Sequence, residues 1–148
     1  MRSLKEILLE DRVRPRVVAA TVTLVESRVA DTGGVAGIAA RGGLSVLRKL
    51  SPTFVEDAVD GLLPDFAAAL EPFHQAASAG EGLGTHLGSR QEAAAEALLS
   101  VTDGKIDRAR PAVQKIYRKL RGSARGHVVA AVPPLGTLLQ DFVAAEGC

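Results

Sequence analysis

Signals that start helices recur along this chain at helix-length intervals, and between them apolar residues return every three or four positions. Ser3 with Glu6 makes a capping-box pattern that predicts a short helix through about Glu10. Pro15 suits the first turn of a second helix, whose Val18, Val22, Val25 and Val29 fall on one face before Asp31 to Gly34 ends it. Val17 to Val25 would also suit a buried strand, but the spacing persists for four turns, which predicts helix. Val35, Ile38, Ala39, Gly42, Val46 and Leu50 form a third stripe. Ser51-Pro52-Thr53 and Glu56 start a fourth helix, which Leu63-Pro64 kinks or restarts toward Phe66, Leu70 and Phe73. SAGEGLGT, Ser78 to Thr85, reads as a loop. Ser89 with Glu92 opens an Ala-rich helix through about Thr102, and Pro111 opens another. Pro133-Pro134 ends that helix and starts the last, which carries Leu135, Leu138, Leu139, Phe142 and Val143.

Apolar residues make up 47% of the chain but aromatics only 3%, so the core must be mostly Ala, Val and Leu. Such small side chains let helices approach closely. The prediction is an all-α, compact helical bundle of six to eight helices, several of them short or Pro-kinked, in a single domain over residues 1–148. A chain of this length buries about 70% of its unfolded surface without a metal or disulfide staple. The one cysteine, Cys148, cannot form an intrachain disulfide, which points to a reducing compartment. MRSLKEILLEDR has acids where a secretory signal needs a longer apolar region. The uncharged runs Val17 to Val25 and Gly126 to Gln140 fall short of the roughly 18 to 20 apolar residues of a membrane span. The expected location is the cytoplasm.

Charge is unevenly laid out. Residues 1–53 carry nine Lys/Arg against five Asp/Glu, residues 54–104 one against nine, and residues 105–148 eight against three. The stretch KIYRKLRGSARG, residues 115–126, holds five cations and no acid. On a helical wheel Val113, Ile116, Tyr117, Leu120, Ala124, His127, Val128 and Ala131 fill an arc of about 120 degrees. Lys115, Arg118, Lys119, Arg121 and Arg125 occupy the rest and form the candidate interaction surface. Like charges so spaced cost roughly 0.2 to 0.5 kcal/mol per pair, so something must offset them. The acidic middle of the chain is the first candidate, and an external anion the second. Nucleic acid is disfavoured by the near-neutral total and by aromatics that sit at core spacing instead of between the cations.

Several motifs lose their force in context. Asp31-Thr32-Gly33 is the aspartic-protease triplet, but it follows a helical valine stripe, where Gly33 reads as a helix C-cap. GEGLGTHLG departs from the dinucleotide fingerprint, since Thr85 stands at the third glycine's place and no strand precedes it. His74, His86 and His127 lack metal-ligand spacing, and His127 falls on the apolar arc, which predicts a core histidine. Asp57, Asp60 and Asp65 read as an acidic solvated face.

SPTFVEDAVDGLLPDFAAALEPF, ALLSVTDGK and KIYRKLRGSARGHVVAAVPPLGTLL resemble a family of small all-helical proteins of high-GC bacteria, a domain of unknown function. That resemblance covers most of the chain; it implies an all-α fold and transfers no functional residue. The reading that follows is a helical protein-interaction or scaffold module, with no catalytic site, no metal and no cofactor, whose partner is a protein or a second copy. The alternative is a carrier of a hydrophobic ligand or lipid in an apolar helical cavity, entered near residues 78–88, with an anionic membrane surface as a further partner.

Overall fold

The computed structural model describes residues 2–77 and 81–146, the side chain of Glu146 excepted. Over these residues the chain forms seven α-helices and no strand: α1 Leu4–Leu8, α2 Arg14–Asp31, α3 Gly34–Leu50, α4 Phe54–Ala76, α5 Gly82–Gly88, α6 Gln91–Lys105 and α7 Pro111–Glu146. A 3₁₀ turn, Ile106–Arg108, joins α6 to α7. The all-α bundle expected from the apolar spacing is therefore the observed fold. Cys148, on which the redox argument rested, and Ser78 to Gly80 of the predicted loop lie outside the described residues.

Local sequence explains several boundaries. Ser3 Oγ accepts the Glu6 N–H at 3.0 Å and donates to the Glu6 carboxylate at 3.1 Å, so the capping-box residues do pair at the start of α1. Pro15 sits in the first turn of α2, where its missing N–H costs nothing. The α2–α3 turn uses a left-handed Gly34, φ 66°, and Arg41 reaches back to the Thr32 carbonyl at 2.9 Å. The Ser89–Glu92 box does not form: the Ser89 hydroxyl donates to the His86 carbonyl and α6 starts at Gln91 behind Arg90.

Two prolines and one glycine-rich stretch behave differently from expectation, and at Pro64 the kink-or-restart alternative loses its restart. Pro64 lies inside an unbroken α4, and Pro133-Pro134 inside an unbroken α7. Each proline removes one helical hydrogen bond, a local cost of about 3 kcal/mol that packing outweighs here. Val132 is buried beside the pair, and one turn on Gly136 meets α5. A Cβ on Gly136 would lie 3.1 Å from the Gly84 carbonyl oxygen, so the two backbones cross with no room for a side chain. Gly82 to Thr85, predicted as loop, is the first half of α5. The uninterrupted α7 also becomes long and apolar enough to cross a membrane by length and composition, with mean hydropathy 1.5 over its most apolar window. Only 17% of that window is buried, and α7 packs here against α5, α6 and α2.

The core runs from α1 and α2 through α4 to α5, α6 and the far half of α7. Leu4, Leu8, Val13, Val17, Leu87 and Val132 are its largest fully buried side chains, with Ala94 and Ala95 of α6 beside them. The aliphatic, small-residue core read from composition is thus present. Two short helices are capped from a distance. Glu71 of α4 accepts the Leu4 N–H of α1 at 2.6 Å, and Gln140 of α7 accepts the Leu83 N–H of α5 at 2.6 Å.

Candidate functional site

The basic face of α7 is largely engaged by carboxylates of the same chain. Arg121 meets both oxygens of Asp103, Nε–Oδ1 and Nη2–Oδ2 each at 2.9 Å. Arg125 pairs with Glu96 and stands 4.0 Å from Glu92, and Arg118 stands 3.3 Å from Asp107. Asp103, Glu96 and Glu92 all belong to α6, so the acidic middle of the chain lies against the basic end. Lys115 and Lys119 are exposed and make no ion pair among the described residues. The hydrogen bond from Arg121, then that from Tyr117, holds the Asp103 carboxyl below its ordinary range, and Asp103 in turn raises the Arg121 guanidinium. Glu96 raises Arg125 in the same way. Burial raises the Tyr117 phenol, and its bond to Asp103 adds to the effect. The ion-paired groups are exposed or half-buried, so each pair contributes modestly.

Beneath that face the apolar arc of α7 does not meet a packed core. No side chain between Pro111 and Ala131 is fully buried. Val113, Ile116, Tyr117, Leu120 and Ala124 instead line an open groove of about 800 Å³, with Phe54 and Leu62 of α4 opposite and Leu47 of α3 along one edge. Lys105, Arg108, Arg110, Arg121 and Asp57 are its charged lining residues. Arg108 and Arg110 make no ion pair among the described residues, whereas Lys105 pairs with Asp65 and lowers its pKa.

A second cavity, about 330 Å³, lies between α2, α4, α6 and α7. Its wall is aliphatic and aromatic, with Val25 and Val29 of the predicted valine stripe, Phe66, Leu98 and Leu135 among its members. Its charged or titratable lining residues are Arg28 and His127, both exposed, which places them at its mouth. Thr102 borders both cavities, and its hydroxyl lies 2.8 Å from the Tyr117 phenol, which donates to Asp103. The two apolar spaces therefore flank one polar cluster: Thr102, Tyr117, Asp103 and Arg121.

Sequence reasoning placed His127 in the core, and there it was wrong. His127 is exposed, because the arc it shares with Ile116 and Leu120 faces open space. The buried histidines are His74, whose Nε2 lies 3.1 Å from the Arg2 carbonyl, and His86, whose Nδ1 lies 2.6 Å from Glu81 and whose ring meets Phe73 edge-on. Among the described residues no three His, Cys, Asp or Glu side chains converge as a metal site. The DTG triplet ends α2 and begins the turn to α3; Gly33 is not the C-cap of α2 expected from sequence, a place Thr32 takes, but the N-cap of α3. The cavities themselves left one trace in the sequence, the shortage of large side chains.

No curated protein and no solved structure matches this chain. The profile of a family of unknown function, DUF6918, matches residues 4–143, and the chain therefore belongs to that family.

Proposed function

We propose that this protein is a carrier of a small amphipathic molecule, held by its hydrocarbon part in the chamber between α2, α4, α6 and α7. The single observation behind this reading is that chamber: an apolar wall at the middle of a bundle, with Arg28 and His127 at the mouth. Ligand sites of bundles lie between helices, and volumes of about 300 Å³ upward suit them. Aliphatic walls favour an acyl or similar chain, and Arg28 favours a carboxylate or other anionic head. The protein acts by binding and release, without turnover or a cofactor. Entry runs past Arg28 and His127, in place of the route expected near residues 78–88, since Gly82–Gly88 is helical and lines neither cavity.

Native mass spectrometry of freshly purified protein tests the reading, together with displacement of a fluorescent polyene fatty acid. The expected result is a retained or exchangeable ligand whose binding falls at least about tenfold when Ala131→Phe fills the chamber. A wild-type protein that binds neither a retained lipid nor the fatty-acid probe overturns it.

A second reading keeps the interaction module. Its support is the open groove under α7, whose apolar arc is nowhere fully buried and whose lining includes Arg108 and Arg110, without ion pairs among the described residues. An amphipathic helix with acidic flanks has the shape and charge for it. Leu120→Lys would then abolish a protein complex while leaving ligand retention in the chamber unchanged.

A further inference from the structure

The stripe Val35, Ile38, Ala39, Gly42, Val46, Leu50 predicts a buried face, but the structure turns it outward. Val35 is 83% exposed, Ile38 67%, Val46 46% and Leu50 41%, and Gly37 is the only fully buried residue of α3. On a wheel of 100 degrees per residue these side chains share an arc of about 120 degrees. The rest of α3 holds the helix in place: Gly37 is buried, Gly43 at the arc's edge faces Ile116 and Leu120 of α7, Leu47 lines the groove, and Arg48 pairs with Glu26 of α2. The exposed arc is therefore an aliphatic ridge, with Lys49 set within it, on a helix that is anchored along its other sides.

We infer that this ridge docks the protein on an anionic membrane surface, with α3 lying in the plane of the bilayer interface. Charge decides the sign of the partner. Between Thr32 and Val55 the chain has no Asp or Glu, while α3 carries Arg41, Arg48 and Lys49. Lys49 falls within the apolar arc and makes no ion pair among the described residues, and Arg41 and Arg48 flank the arc on one side. The neighbouring carboxylates on α2 are Glu26, already paired with Arg48, and Asp31 at the helix end. An amphipathic helix with aliphatic residues on one side and only cations beside them is the pattern that lies on anionic lipid.

Shape and charge together favour lipid over the other occupants. A second copy would bring two wholly cationic helices face to face. A protein partner anchors on aromatic and Arg side chains packed in pockets, whereas this ridge is convex, aliphatic and unwalled. A bilayer interface accepts a convex ridge without a matching groove. The end of α3 also adjoins the groove, which Leu47 and Ser51 line, so docking would bring that opening to the membrane. The inference stands on the ridge alone and does not need the carrier reading.

Sedimentation with vesicles tests it, using phosphatidylcholine alone and phosphatidylcholine with phosphatidylglycerol in equal parts. The wild type is expected to pellet with the anionic vesicles and not with the neutral ones, less so at high salt. Val35→Asp with Ile38→Asp should weaken that binding about tenfold or more, since both residues sit in the ridge and carry no packing load. Lys49→Glu should weaken it several-fold with an unchanged melting curve. Equal binding to both vesicle types, no binding to either, or binding untouched by the paired aspartates would overturn the proposal. So would a wild-type dimer that the paired aspartates dissolve, or retention by an acidic helical peptide without any vesicle binding. Loss of ligand in native mass spectrometry with vesicle binding intact would fault the carrier reading alone.

Discussion

Arg121 clasps Asp103 with two parallel hydrogen bonds of 2.9 Å, joining the basic helix α7 to the acidic helix α6. Arg125 repeats the link one turn on, to Glu96. The repulsion along α7 is thus met from inside the molecule, and Lys115 and Lys119 are the cations of that face left without ion pairs among the described residues.

Reversing the paired cations should therefore behave unlike reversing the unpaired ones. Arg121→Glu with Arg125→Glu places carboxylates against Asp103, Glu92 and Glu96, and is expected to lower the melting temperature, more at low salt than at high. Lys115→Glu with Lys119→Glu relieves like-charge crowding within α7 and should leave the melting temperature level or raised. Thermal melts by circular dichroism at two salt concentrations decide it; equal responses from the two variants would contradict the pairing.

Acid should weaken the same link. Asp103 has its folded pKa depressed by Arg121 and Tyr117, so its stabilisation is fully present above the ordinary carboxylate range and is lost as pH falls through the depressed value. Asp103→Asn should melt below the wild type from about pH 5 to pH 8, and the gap should close below about pH 3. A gap that persists unchanged at low pH would show that the carboxylate's charge is not what matters.

Two glycines of α7 should respond in opposite directions to alanine. At Gly136 the new Cβ meets the Gly84 backbone, which cannot yield as a side-chain tip does, so Gly136→Ala should cost about 1 to 3 kcal/mol. At Gly122 nothing lies within 4 Å, and Gly122→Ala should gain up to about 1 kcal/mol of helix propensity. Urea unfolding reads both, and a neutral Gly136→Ala would mean that α5 can shift away from α7.

The histidines separate in the same assay. His127→Gln, at an exposed position, should change stability by no more than about 0.5 kcal/mol. His74→Leu leaves the Arg2 carbonyl without its ring N–H partner and should cost about 1 to 3 kcal/mol. A large loss at His127 would place that ring back in a packed site.

Helix existence was legible because apolar spacing and start signals act locally. Ser3 caps α1 and Pro15 opens α2 as their chemistry dictates. Pro133-Pro134 misled because a proline's cost is local while its compensation is tertiary, supplied here by Val132 and the Gly84–Gly136 crossing. The α3 stripe misled for another reason: periodicity shows which side of a helix is apolar, not whether a neighbour covers it. His127 was misplaced by the same step, since it stands exposed at the mouth of the chamber. Charge layout across α6 and α7 was legible from the counts alone, but not which pairs form. An apolar cavity was legible from the shortage of large side chains, but its place was not, because a void belongs to the mutual placement of four helices and to no residue.

The caps that Glu71 and Gln140 supply reach across 67 and 57 residues of chain. Helices of five and seven residues lie far below the length that sustains itself in water. During synthesis, then, α1 emerges long before α4 delivers the oxygen that holds its first turn, and α5 waits for the distal part of α7. Neither can serve as an early nucleus. Both form as late consequences of long-range closure, so the slowest protons to be protected in a folding pulse should include the Leu4 and Leu83 amides, although each precedes its partner in the order of translation.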